Sequence, residues 1–211
     1  MKKTMLLCVL MLSAAAGYAQ ESRQDVSFSG AGYFGPTVHG ANGVRDVYTT
    51  GALGLLTSYR YMVTPRSALE VNYSFVQDQF RYLDSTNTNN QPGFPQYAQG
   101  QRIHSREQEI TAAYVYSLNL KRFSPFAEVG VGTLIFTPVL DSGTQLIGTK
   151  GSKGVAGLFG GGLAYELSPS FDIRVEYRGF VTKTPSFGIT DFNANRYEVL
   201  SMPVIGVAYH F

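Results

Sequence analysis

The sequence predicts an all-β chain, an eight-stranded antiparallel up-and-down transmembrane β-barrel. Three observations carry that prediction. Eight segments alternate large apolar residues with small or polar ones at period two. The connections between them are alternately long and short. The last segment carries its alternation through Ile205, Val207, Tyr209 and Phe211 to the C-terminal carboxylate, with Gly206, Ala208 and His210 between.

The first strand is expected over Asp25 to Pro36, with Val26, Phe28 and Phe34 on one face and Ser27, Ser29, Ala31 and Tyr33 on the other. Residues 37–47 are polar and turn-rich and form a loop. The second strand, Tyr48 to Met62, sets Leu53, Leu55, Tyr59 and Tyr61 against Gly54, Ser58 and Arg60. A short turn about Pro65 leads to the third, Ala68 to Leu83, where Leu69, Val71, Tyr73 and Phe75 alternate with Glu70, Asn72, Ser74 and Asp78. Residues 84–105 hold Asn, Gln, Pro, Gly and Ser with little apolar content, which predicts a long loop. The fourth strand is Arg106 to Leu118, followed by a short turn over Asn119 to Ser124. The fifth, Pro125 to Thr137, opposes Ala127, Val129, Val131 and Ile135 to Phe126, Glu128, Gly130 and Gly132. After a polar loop at 138–153, the sixth strand, Gly154 to Leu167, turns tightly at Ser168-Pro169-Ser170 into the seventh, Phe171 to Val181. Residues 182–195 form the fourth long loop, and Arg196 to Phe211 is the eighth strand.

The amino terminus has a different character. Lys2 and Lys3 precede an apolar run from Met5 to Leu12, and Gly17-Tyr18-Ala19 is a small-x-small site. Residues 1–19 therefore read as a secretory leader cut after Ala19, and residues 20–211 as one barrel domain. The run is too short to cross a bilayer as a helix. Cys8, the only cysteine, leaves with the leader, so no disulfide or sulfur-rich metal site is expected. The two leader lysines account for the formal charge of +2, so the rest of the chain is neutral and offers nothing to nucleic acid. The 14 Tyr, 14 Phe and 23 Gly, with only 15% charged residues, suit alternating membrane strands.

Period-two patterning is shared by soluble ligand-binding barrels, which turn the apolar face inward. Here that face is rich in large aliphatic and aromatic residues, while the other mixes Gly and Ala with single charges. The second face suits a narrow lumen. Aromatics near strand ends fit interfacial girdles: Tyr59, Tyr61, Phe171, Tyr209 and Phe211 by the short turns, and Phe34, Tyr48, Phe80, Phe136, Phe180 and Tyr197 by the long loops.

On this parity the lumen receives Arg60, Glu70, Asp78, Glu109, Glu128, Glu166, Asp172, Arg174, Glu176 and Arg178. Charges in so narrow an interior must pair, because desolvating a lone ion costs several kcal/mol. Folding about Pro65 sets Arg60 opposite Glu70. Folding about Pro169 sets Ala164, Gly162 and Gly160 opposite Arg174, Glu176 and Arg178, and Glu166 opposite Asp172. Arg174, near mid-strand, is expected to be the critical member. The network reads as a filled lumen, with an ion or small-solute channel as the alternative.

The terminal run Ile205, Val207, Tyr209, Phe211 resembles the assembly signal of outer-membrane barrels, and the chain from residue 20 resembles the small OmpA-type and OmpX-type transmembrane barrels. The resemblance implies an outer-membrane location in a Gram-negative bacterium, periplasmic termini and recognition by the barrel-assembly machinery. It implies contact with outer-membrane lipid and lipopolysaccharide, and a monomer displaying four surface loops in a surface-interaction or envelope role. The loop of residues 84–105 is the expected contact surface. With no peptidoglycan-binding domain expected after Phe211, the tethering role of full-length OmpA proteins does not carry over. A second resemblance is to the lipid A palmitoyltransferases, which present His, Asp and Ser on outer loops. His39, Asp84 and Ser85 match that set by residue type and rough placement, without the family's amphipathic amino-terminal helix. The three His are far apart, so neither a metal cluster nor a cofactor is expected.

Overall fold

The computed structural model describes residues 23–37, 46–83, 101–139, 151–185 and 196–211. Residues 1–22 and the interiors of the long connections lie outside these residues. The strands are β1 Gln24–Tyr33, β2 Asp46–Thr50, β3 Ala52–Thr64, β4 Ser67–Leu83, β5 Gln101–Ser117, β6 Phe123–Val139, β7 Ser152–Ser168, β8 Phe171–Lys183 and β9 Tyr197–His210. β1 pairs antiparallel with β3, each strand from β3 to β8 pairs antiparallel with the next, and β1 with β9 closes the sheet. β2 and β3 both pair with β4 and are one barrel strand broken at Gly51. The register slips there, from Thr50↔Gln79 to Gly54↔Val76, so an extra residue bulges out. Gly51 fits because a Cβ would come within 2.8 Å of the Phe34 ring. The barrel is thus eight-stranded, as the alternation predicts.

Strand ends run further than the alternation shows. Gln101 to Ser105, expected in the long loop, pair with β4 from Tyr82 to Asp78. The predicted contact loop of residues 84–105 therefore gives up its last five residues to β5. Gln101, Arg102 and His104 are polar, so a search for apolar alternation passes over them although the backbone ladder continues. β6, β7 and β8 likewise extend beyond their predicted outer ends.

Three two-residue hairpins, Pro65-Arg66, Lys121-Arg122 and Pro169-Ser170, lie at one end of the barrel. Pro presets φ in two of them. In the third, Leu120 and Phe123 exchange backbone hydrogen bonds across Lys121, whose φ is 59°, the left-handed value such tight hairpins demand. The described chain ends lie at this same end: Met62 N donates to Arg23 O, and Phe211 N to Gln24 O.

The sheet is inverted relative to a soluble barrel. Outward positions are apolar and uncovered: Leu53 is 85% exposed, Val155 74%, Leu55 71% and Phe28 69%. Charged residues inside the barrel are buried, with Arg178 and Asp25 at 0%. An apolar belt of this extent is stable only against another apolar phase, and a closed barrel leaves no backbone edge to desolvate. Two predicted girdle residues are corrected. Phe136 and Phe180 are 1% and 0% exposed and point into the lumen, on the same parity as Glu128 and Arg178. The side chains of Tyr48 and Phe80 lie outside the described residues.

Candidate functional site

The lumen is layered. At the hairpin end it opens as a vestibule of about 660 Å³, walled in part by Lys121, Glu166, Asp172 and His210 and floored by Arg60, Phe126 and Arg174. Glu166 and Asp172 are register partners, as the Pro169 hairpin predicts. Their like charges do not stand alone, because Asp172 Oδ2 lies 2.8 Å from Nε2 of His210, which β9 brings alongside.

Next comes a layer of ion pairs. Arg60 and Glu70 are cross-strand partners on β3 and β4, and Arg60 Nε and Nη2 both meet Glu70 Oε2 at 2.6 Å. The guanidinium also sits 5.0 Å from the centroid of the Phe126 ring. Arg174 grips Asp25 through both terminal nitrogens, at 2.9 and 2.8 Å. Arg178 is the hub. It donates to Glu109 at 2.8 and 3.2 Å and to Glu128 at 3.2 Å, with Glu176 at 3.9 Å and the Phe180 ring at 5.3 Å. Glu109 is held in turn by the hydroxyls of Ser74 and Thr111, at 2.8 and 2.7 Å. Three guanidiniums face five carboxylates, and glycines leave room for two of the carboxylates. A Cβ on Gly160 would collide with Glu128, and one on Gly162 with Glu176.

Beyond the charges lies an apolar plug. Tyr33, Leu56, Val76, Leu134, Phe136, Leu158, Phe180, Leu200 and Met202 are each no more than 2% exposed and belong to one cluster. A second set of buried polar residues, Ser105, Glu107, Thr182 and Glu198, also faces inward.

The predicted lumen residues thus separate. Arg60 with Glu70, and Glu109, Glu128 and Glu176 with Arg178, come together. Asp172 goes to the vestibule with His210, and Glu166 is exposed there. The Asp78 side chain lies outside the described residues; its backbone pairs with Ser105. His39, Asp84 and Ser85 also lie outside them. The sequence reading missed Asp25, although it shares the parity of Ser27 and Ser29. It missed the plug as well, having read the inner face mainly as Gly and Ala mixed with single charges. Of the terminal run, Ile205, Val207 and Tyr209 face outward, at 61%, 45% and 47% exposed, and the Tyr209 ring stacks on Phe211 at 6.0 Å. Among the described residues there is no cluster of His, Cys, Asp and Glu able to hold a metal.

Chemically, the layer is a set of buried ion pairs, with Glu128 Oε2 and Arg174 Nε left without a hydrogen-bond partner among the described residues. The hydroxyls of Ser74 and Thr111 are committed to Glu109 as donors.

Known structures share this architecture. The crystal structure of Neisserial surface protein A superposes with a TM-score of 0.58 at 16% identity, covering 90% of this chain and 98% of that one. The outer membrane protein OprG from Pseudomonas aeruginosa superposes at 0.54 and 13% identity, covering 90% and 96%. Identities this low show the fold alone. No curated protein matches the sequence. The model of the outer membrane protein beta-barrel domain matches residues 4–211. With charges inside, an apolar belt outside and that match over nearly the whole chain, the protein belongs to the outer membrane protein beta-barrel domain family.

Proposed function

We propose that the protein is a non-enzymatic outer-membrane barrel that anchors its four long connections on the cell surface, with the hairpin end and both termini in the periplasm. One observation carries this reading: an ion-pair layer and an apolar plug stand in series across the lumen, so the interior is devoted to rigidity. A rigid scaffold with long polar connections at one end is the usual arrangement for recognition. The connection between β4 and β5, residues 84–100, is the longest and the foremost candidate contact surface. Partners in this reading are outer-membrane lipid and lipopolysaccharide around the belt, and the barrel-assembly machinery during insertion.

Protease applied to intact cells tests the sidedness. Cleavage is expected only within residues 38–45, 84–100, 140–150 and 186–195. Cleavage at Lys121 or Arg122 would reverse the orientation. The same fractions test the terminal signal. Removing Phe211 deletes its ring contact with Tyr209 and its backbone bond to Gln24, and the yield of folded barrel in the outer membrane should fall severalfold. Undiminished yield would dismiss Phe211 as a signal.

The vestibule favours a second reading, a small-solute channel that uses it as an entrance. Planar bilayers separate the two. A closed lumen gives at most small, infrequent openings, because an aqueous channel ordinarily needs many more strands. Large, steady conductance would put the channel first.

A further inference from the structure

The barrel wall is incomplete between β7 and β8. Their ladder ends at Gly157↔Val181, yet β7 continues to Ser152 on β6, and β8 to Lys183 on β9. Residues 152–156 therefore have no ladder partner on the β8 side among the described residues. Among the described residues a side chain bridges the gap, Thr182 Oγ1 donating to Val155 O at 3.4 Å. The wedge holds a cavity of about 360 Å³, lined by Ser152, Lys153, Val155, Lys183, Thr184 and Tyr197.

Its lips are cationic. Lys153 shares the outward parity of Val155, and Lys183 that of Val181. Continuing the register sets Val155 against Lys183, so the two lysines are diagonal neighbours on the outer face. Neither has an ion-pair partner among the described residues. Directly below them the belt begins with Val155, Val181 and Val199, all exposed, and Tyr197 stands beside the cavity at 76% exposure. Unpaired cations at the margin of an apolar belt, next to an interfacial tyrosine, meet lipid headgroups.

We propose that this wedge binds the phosphate monoester of an outer-leaflet glycolipid, whose acyl chains lie along the valines beneath. A monoester carries close to two negative charges and matches two lysines. A phosphodiester headgroup carries one, and free phosphate makes no use of the apolar strip. Ser152 and Tyr197 supply hydroxyls to the remaining phosphate or sugar oxygens. Naming the leaflet rests on the sidedness proposed above; the site itself does not.

The test uses folded protein in detergent micelles, which have no sides, so it is independent of orientation. Native mass spectrometry compares bisphosphorylated lipid A, the same lipid dephosphorylated, and phosphatidylglycerol, with inorganic phosphate as competitor. The Lys153→Gln/Lys183→Gln variant should bind lipid A about thirtyfold more weakly. The double Lys→Arg variant should retain binding, and Lys121→Gln at the opposite end should change nothing. Heat-modifiable gel mobility confirms folding; if the double variant fails to fold, the two single Lys→Gln variants, each about fivefold weaker, take its place. Unchanged binding by the Gln variants would overturn the site. Equal retention of dephosphorylated lipid or phosphatidylglycerol, or displacement by millimolar phosphate, would overturn the assignment to a glycolipid monoester.

Discussion

Arg178→Ala is expected to destabilise the folded barrel by about 3–5 kcal/mol, the range for breaking a buried ion pair from one side. Arg178 is fully buried and is the one cation within 4 Å of Glu109, Glu128 and Glu176 among the described residues. Its loss leaves three carboxylates facing one another in an interior too narrow for full hydration. Glu109→Gln should cost less, because an amide oxygen in the Oε1 position still accepts from Thr111 and Arg178 Nη2, and the amide NH2 in the Oε2 position can donate to the Ser74 hydroxyl, so that only the Arg178 Nη1 bond is lost. The two substitutions touch one network and should not add; the double variant should recover part of the Arg178→Ala loss. Urea unfolding in lipid vesicles, followed by heat-modifiable gel mobility, measures each term. A loss for Arg178→Ala below about 1 kcal/mol would mean that water screens the lumen as it screens surface pairs.

The sequence points to Arg174 as the critical lumen cation, and the difference shows what a strand pattern can carry. Arg60 opposite Glu70, and Gly160 opposite Arg178, follow from single hairpins, where turn position alone sets register. Contacts across the barrel depend on closure. Arg174 and Asp25 are 149 positions apart, and Arg178 and Glu109 69 apart. The first pair meets only because β1 pairs with β9, the second only because the sheet curls β5 towards β8, and no local signal encodes either. Asp25 was therefore readable as an inward residue but not as the partner of Arg174. The plug was hidden for another reason. In Val199-Leu200-Ser201-Met202-Pro203-Val204, large apolar residues fall on both faces, and period-two sorting assigns only one of them to lipid. Leu200, Met202 and Val204 are buried inside, whereas Val199 is on the outer surface.

Closure itself is the point at which one methyl-scale change should have the largest effect. Gly206 lies opposite Ser29 on β1 and Arg174 on β8. A Cβ there would run into the Ser29 hydroxyl, the Phe28 carbonyl and the Ser29 Cα. Two of those atoms are backbone of the pairing strand, so no rotamer change relieves the overlap; β1 and β9 must separate. Overpacking usually costs about 1–3 kcal/mol where neighbours can shift, and more where the obstacle is main chain. Because the β1–β9 ladder joins the first strand to the last, that strain opposes the pairing that turns a sheet with two free edges into a barrel. Gly206→Val is thus expected to leave little or no folded protein in the outer membrane. Gly157→Val is the matched control. Its Cβ would point outward with nothing within 4 Å, on a membrane-facing strand where a branched apolar side chain is favoured. That variant should assemble at the parent's yield and unfold at the same or slightly higher urea concentration. Comparable yields for the two variants would show that the closing seam tolerates side chains, and that Gly206 is there for some reason other than the close approach of Ser29.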